Sequence, residues 1–222
     1  MSPFPTTARL AAAAAVAACA LAAPAHAAYA PRMSLQVEPP TAGGPVAMSL
    51  ELSQAPGEEA TRTLRVSLLG FGSATEARSR PACTGAAATS GACPAESRIG
   101  SATSTTSFGT FSGGIFHAGS EGELTRVLAV LSNPAIPLVL DQRFTGTLSP
   151  VPGGRELAFD DLPGATATRL RIALDGDDRA LVTAPAACGE RDVVGRLTSH
   201  GGQRAEQTSR VAIGGCAGAR PA

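Results

Sequence analysis

Apolar residues recur at every second position along much of this chain, and that period constrains the fold more than any other feature. Val46, Met48, Leu50 and Leu52 alternate with Ala47, Ser49 and Glu51. Leu64, Val66 and Leu68 alternate with Arg65 and Ser67, and Leu170, Ile172 and Leu174 alternate with Arg169, Arg171 and Ala173. Met33, Leu35 and Val37 form a shorter set. In an extended chain successive side chains point to opposite faces, so each segment reads as a strand with one buried and one solvated face. Two continuous apolar runs, 127–131 and 138–140, suit strands covered on both faces. Leu157-Ala158-Phe159 reads as a short strand ahead of Asp160-Asp161-Leu162-Pro163.

Turn residues fill the intervals. Pro39-Pro40-Thr41-Ala42-Gly43-Gly44-Pro45 parts the first two strands, and Pro152-Gly153-Gly154, Asp175-Gly176-Asp177-Asp178 and Gly201-Gly202 punctuate the second half. Beyond the N-terminal leader, no segment keeps apolar residues at helical spacing over three turns. The pattern predicts an all-β, antiparallel β-sandwich of about ten to twelve short strands. Residues 28–222 are expected to form a single domain with a long loop near 72–98; a boundary within that polar, strandless stretch is the alternative.

Residues 1–27 read as an export signal. Arg9 supplies the positive region, 10–23 is an apolar run, and Ala25-His26-Ala27 fits the small-x-small cleavage rule. The run falls short of the roughly 20 residues of a spanning helix. Val16-Ala17-Ala18-Cys19 also matches a lipobox, so a lipoprotein anchored through Cys19 is the alternative to simple secretion. The remaining chain has no long apolar segment, which predicts no membrane span. The expected location is therefore outside the cell or in its envelope.

Removal of the leader leaves Cys83, Cys93, Cys188 and Cys216. An even number of cysteines in an exported chain reads as disulfides. A zinc site would want closely spaced Cys knuckles, which are missing. Of the three possible pairings, hairpin geometry favours Cys83–Cys93 with Cys188–Cys216. Reflection through the Gly201-Gly202 turn brings Cys188 opposite Gly215, one residue from Cys216. Cys83 and Cys93 bracket 84–92, a small-residue loop with little apolar surface to hold it.

The order of these features resembles a family of uncharacterised exported β-sandwich proteins common in GC-rich actinobacteria. The residues that carry the likeness are Cys83, then Cys93-Pro94-Ala95-Glu96-Ser97-Arg98-Ile99-Gly100, Phe159-Asp160-Asp161-Leu162-Pro163, Cys188-Gly189 and Gly214-Gly215-Cys216. The likeness spans about 61–216. Leu69-Gly70-Phe71-Gly72, Asp175-Gly176-Asp177 and His200-Gly201 depart from its turn motifs. The resemblance implies a fold, export and paired cysteines, and no catalytic residues.

Searching the residues for chemistry gives mostly exclusions. The net charge is zero, with 18 basic residues, all Arg, against 18 acids. That balance, without an Arg cluster interleaved with aromatics, argues against a nucleic-acid binder. One Tyr, no Trp and 4% aromatic residues leave few rings to stack on sugars. No nucleophile elbow occurs, and Gly109-Thr110-Phe111-Ser112-Gly113 has the wrong spacing for one. His117 and His200 are the two imidazoles outside the leader. Either could act as a general base, His117 with Ser112 if the fold brought them together; otherwise both are ordinary loop or strand-end residues. The acid pairs Glu58-Glu59, Asp160-Asp161 and Asp177-Asp178 lie in turns. Asp175-Gly176-Asp177-Asp178 offers oxygens for Ca²⁺ but does not match the twelve-residue EF loop, and Asp and Gly are the normal residues of a hairpin turn, which is the reading preferred. No catalytic, metal or cofactor-binding residue is assigned. The expectation is an exported, non-catalytic protein with a structural or binding role at the cell surface or outside the cell. A secreted hydrolase with a loop-assembled site and a lipid-anchored ligand binder are the alternatives.

Overall fold

The computed structural model describes residues 29–39, 41–136, 141–164 and 167–216. The expected export signal over 1–27, Cys19 and the apolar run 138–140 lie outside them. Among the described residues thirteen strands form: β1 (Arg32–Glu38), β2 (Pro45–Ser53), β3 (Thr61–Leu69), β4 (Gly72–Ser73), β5 (Arg98–Thr106), β6 (Gly109–Glu121), β7 (Leu124–Ser132), β8 (Gln142–Val151), β9 (Gly154–Phe159), β10 (Ala167–Leu174), β11 (Val182–Thr183), β12 (Gly189–Ser199) and β13 (Arg204–Ile213). The architecture is all-β and antiparallel, with one strand more than the upper expectation because β4 and β11 are only two residues long.

All thirteen belong to one sheet. Its path runs β13-β12-β3-β9-β8-β7-β6-β5-β10-β2-β11-β4, and β1 pairs with β2. The sheet does not close into a barrel. Its two ends nevertheless meet: Thr41, just after β1, forms a parallel bridge to Gly214, just after β13, and the Ala42 amide donates to the Gly214 carbonyl at 2.9 Å.

The buried faces share one core cluster drawn from both halves of the path. The alternation that suggested strands reappears as burial: β1 and β2 bury every second residue. Phe111, Phe159, Leu64, Ile115 and Leu197 are completely enclosed, and Phe144 meets Phe159 edge to face with ring centres 5.7 Å apart. In β7, Val127, Leu128 and Ala129 are buried in succession, as expected of a strand covered on both faces.

The stretch 72–98 differs from its strandless expectation. It contains β4, which pairs with β11, and two short helices, α1 (Thr75–Arg78) and α2 (Gly85–Ser90). No residue of α2 is buried. Packing therefore gives it little support, and two other ties hold it. The Cys83–Cys93 disulfide closes the loop with 5.1 Å between Cα atoms. Arg143 of β8 donates to the carbonyls of Thr89 and Ser90 at the end of α2, where the helix leaves carbonyls unpaired and a cation is favoured.

The second disulfide joins Cys188 to Cys216 with 6.0 Å between Cα atoms. The β12–β13 register pairs Gly189 with Ile213, so continuing the ladder sets Cys188 level with Gly214 rather than Gly215. The extra residue is absorbed by Gly215, whose φ of +71° lies in the left-handed region open to glycine. That bend returns Cys216 to its partner, and the Cys216 amide lies 3.1 Å from the Cys188 sulfur.

Candidate functional site

Three places bring polar side chains together. The first is a depression of about 650 Å³ on the outer side of β1, β2 and β10, beside the turn that follows β10. Gln36, Glu38, Ser49, Arg171, Asp175, Asp177, Asp178 and Arg179 line it. The turn is a single 3₁₀ turn over Asp177–Arg179. It does not join a hairpin, because β10 pairs with β2 and β5 whereas β11 pairs with β2 and β4. Asp177 takes a φ of +54°, a conformation that Asp tolerates better than most side chains. The Arg179 and Ala180 amides donate to the Gly176 and Asp177 carbonyls.

Arginines balance the acids of this depression. Arg179 pairs with Asp175 at 3.6 Å, and Arg171 donates to the Ser49 hydroxyl at 3.2 Å. Arg80, shortly before the disulfide-bonded Cys83, reaches the Asp178 carboxylate at 3.2 Å and the Glu96 carbonyl at 3.3 Å. Arg80 thus ties two loops together while leaving most of the Asp178 side chain, 84% of it, in solvent. Among the described residues no set of three His, Cys, Asp or Glu side chains is arranged to hold a metal ion.

The second place surrounds His117, which is 2% exposed on the inner face of β6. Its Nδ1 faces the Pro81 carbonyl at 3.4 Å, and its Nε2 lies 3.0 Å from the Ser120 hydroxyl. A carbonyl can only accept, so a neutral ring carries its proton on Nδ1 and takes the Ser120 proton at Nε2. Ser120 in turn lies 3.4 Å from the buried Thr125 hydroxyl. A register shift between His117 and Ser120 frees the serine to turn back toward the ring. The fold therefore partners His117 with Ser120 rather than Ser112, which lies in the regular part of β6 opposite Ser132. The geometry of a base and a hydroxyl is present. A carboxylate orienting the ring is not among its hydrogen-bond partners, and His117 and Ser120 line none of the depressions at 36–179, 52–170 or 63–206. The arrangement links the buried His117 ring and the buried Thr125 hydroxyl through the exposed Ser120, and so satisfies the two buried groups.

The third place is the end of the sheet near the β12–β13 turn. His200 donates from Nε2 to the Leu162 carbonyl at 3.2 Å and its amide donates to the Ala60 carbonyl. Glu59 accepts from the Ser199 hydroxyl at 2.5 Å and the Gly201 amide at 3.2 Å. Glu58 is buried beside it. The remaining acid pair is divided: Asp160 binds Arg65 at 2.7 Å, and Asp161 is exposed.

Asp175, Asp177, Asp178 and His117 stand out in the sequence, but Glu38, Arg171, Arg80 and Ser120 do not stand out as their companions. Arg171 was visible only as the polar half of an alternating strand. Nothing in the order of residues joins Arg80 to Asp178. Among the described residues no helix is long and apolar enough to cross a membrane. No family model matches the chain, and no curated protein or solved structure is similar to it.

Proposed function

We propose that this chain is an exported, non-catalytic β-sandwich protein that binds a polar partner at the cell surface or outside the cell. The observation that carries the reading is the depression over β1, β2 and β10, where both signs of charge are presented on a rigid sheet. Its size falls within the roughly 300–1,000 Å³ of small-molecule sites, but its lining is polar where such sites are mostly apolar. A hydrophilic peptide fits that chemistry better than a lipid or an aromatic cofactor. The two disulfides support an oxidising location. Cleavage after Ala27, a single domain over 28–222 and kinship with exported actinobacterial proteins belong to the same reading. The shared core cluster favours one domain over a division at 72–98.

Co-sedimentation with cell envelopes prepared from the source organism tests it. The wild-type protein is expected to pellet with the envelopes. Asp177→Asn with Asp178→Asn and Arg171→Ala should stay in solution at unchanged thermal stability. Equal sedimentation of the two proteins would remove the depression from the account.

The 3.0 Å contact between Ser120 and His117 favours a second reading, a secreted hydrolase. A screen against ester, peptide and glycoside substrates distinguishes the two. Under the leading reading Ser120→Ala and the double variant His117→Gln, His200→Gln change no rate. A loss of about 100-fold or more with the fold intact would be the signature of general-base catalysis.

A further inference from the structure

β13 is an edge strand that its neighbours leave uncovered over most of its length. It pairs with β12 alone, without a register shift. Nothing from Arg204 to Arg210 is buried, whereas Val211 and Ile213 are buried next to the bridge between Thr41 and Gly214. Among the described residues no backbone ladder joins β1 to β13 beyond that bridge. A long edge normally carries a Pro, a bulge or repelling charges, because its unpaired amides and carbonyls invite a second strand. β13 has neither Pro nor bulge. Its charges are Arg204, Glu206 and Arg210, and their spacing attracts a second copy instead of repelling it.

The hairpin fixes which backbone groups point outward. The Ser199 amide donates to the Gln203 carbonyl at 2.8 Å, and the register continues from there with Thr198 opposite Arg204. Bonded positions alternate along an antiparallel pair, so Ala205, Gln207 and Ser209 bond to β12. The amides and carbonyls of Arg204, Glu206, Thr208 and Arg210 point away from it. The Gly214 carbonyl, of the same parity, does so too, and it accepts from the Ala42 amide. The side chains at 204, 206, 208 and 210 lie on the solvated face.

We propose that β13 is a self-association edge, on which a second copy of this chain adds its own β13 antiparallel about a two-fold axis through Thr208. In that register Glu206 of each copy faces Arg210 of the other, and the two Thr208 residues face each other. Opposite charges and Thr pairs directly across a ladder are stabilising, and like charges are the reverse. The charges select this register. Moving one strand by two residues in one direction sets Arg204 opposite Arg210 twice, and in the other it removes both ion pairs. A slip of four residues opposes Glu206 to Glu206 or Arg210 to Arg210. The Glu206 and Arg210 side chains are 60% and 73% exposed, open to a second partner. Within each copy Arg196 pairs with Glu206 at 3.1 Å and Asp192 with Arg210 at 3.4 Å. The row across the axis therefore alternates in sign through four strands: Arg196 and Glu206 of one copy, then Arg210 and Asp192 of the other. The contact uses the same surface on both copies and closes on itself.

Sedimentation velocity of the oxidised chain across a concentration series is expected to show one copy giving way to two. Glu206→Arg and Arg210→Glu each oppose like charges at both ion-pair positions, and each alone should weaken association by at least about 10-fold. Mixed in equal amounts, the two variants restore opposite charges at every one of these positions, so the mixture should associate to within about threefold of the wild type. Thr208→Pro removes an outward amide and no bond to β12. It should fold and stay a single copy, and it carries the test if a charge-reversed variant does not fold. A wild-type chain that stays single at every concentration up to about 1 mM, a mixture no tighter than its components, or paired Thr208→Pro would overturn the proposal. The outcome is independent of what the depression over β1, β2 and β10 binds.

Discussion

Gly113 of β6 lies so close to Val130 of β7 that a Cβ on residue 113 would overlap the Val130 carbonyl oxygen. The same atom would lie 3.0 Å from the Leu131 Cα. Both obstacles are backbone in the middle of the sheet, so neither can rotate away. Gly113→Ala is expected to push β6 from β7 and to lower stability by on the order of 3 kcal/mol, the upper part of the overpacking range. Urea unfolding followed by circular dichroism measures the loss. An unchanged midpoint would mean that the strands are less closely apposed.

Tyr29 provides an optical probe of its end of the sheet. Burial raises its pKa above 10.0, the Thr61 hydrogen bond opposes that rise, and Glu58 and Glu59 add to it. The chain has one Tyr and no Trp, so absorbance near 295 nm reports this residue alone. The folded protein should ionise above pH 10, and the unfolded protein near its ordinary value. Between those two points the native state holds a proton that the unfolded state has lost. The stabilisation is therefore complete below the unfolded pKa and disappears as pH rises through the folded one. A folded midpoint at or below the unfolded one would contradict this environment.

The strands were legible where one face is apolar and the other polar. β1, β2, β3 and β10 each show that period in four or fewer apolar residues, because each has one face in the core. β6 was much harder to see. Gly109, Gly113, Gly114 and Gly119 interrupt its pattern, and close approach to neighbouring backbone and to the Phe116 ring explains the small residues at 113 and 114. The two-residue strands β4 and β11 exist only through pairing with distant partners. α2 carries no apolar face for a periodicity to reveal. The charged depression was hidden for a similar reason. It joins β1 and β2 to a turn more than a hundred residues later, and Arg80 reaches Asp178 only across the folded surface.

The two disulfides should contribute unequally. The bridges close separations of 10 and 28 residues, for which chain entropy gives about 3 and about 3.5 kcal/mol. The Cys188–Cys216 bridge also fixes the end of β13 near Thr41, where the two ends of the sheet meet. Replacing both members of that pair by Ser should cost more than replacing Cys83 and Cys93. Denaturant titration of the two double variants ranks them, and the reverse order would contradict this role.

Arg143 holds α2 against β8 through the Thr89 and Ser90 carbonyls. Arg143→Ala is expected to leave the sheet intact and cost about 1.5 kcal/mol, the lower end for hydrogen bonds from a charged donor, because both bonds are exposed. Amide hydrogen exchange should accelerate across 84–92 while β3 and β9 remain protected. Uniform acceleration throughout the chain would show that the helix is coupled to the global fold instead.

The central claim is an exported protein closed by two disulfides, and its most direct test is the intact mass of the chain recovered from the source cells and their medium. The account predicts a protein outside the cytoplasm that begins at Ala28, carries no lipid, and is lighter than its reduced form by the hydrogens of two bridges. Recovery of a full-length chain from the cytoplasm with free thiols at Cys83, Cys93, Cys188 and Cys216 would contradict it, and so would a lipid-modified chain beginning at Cys19.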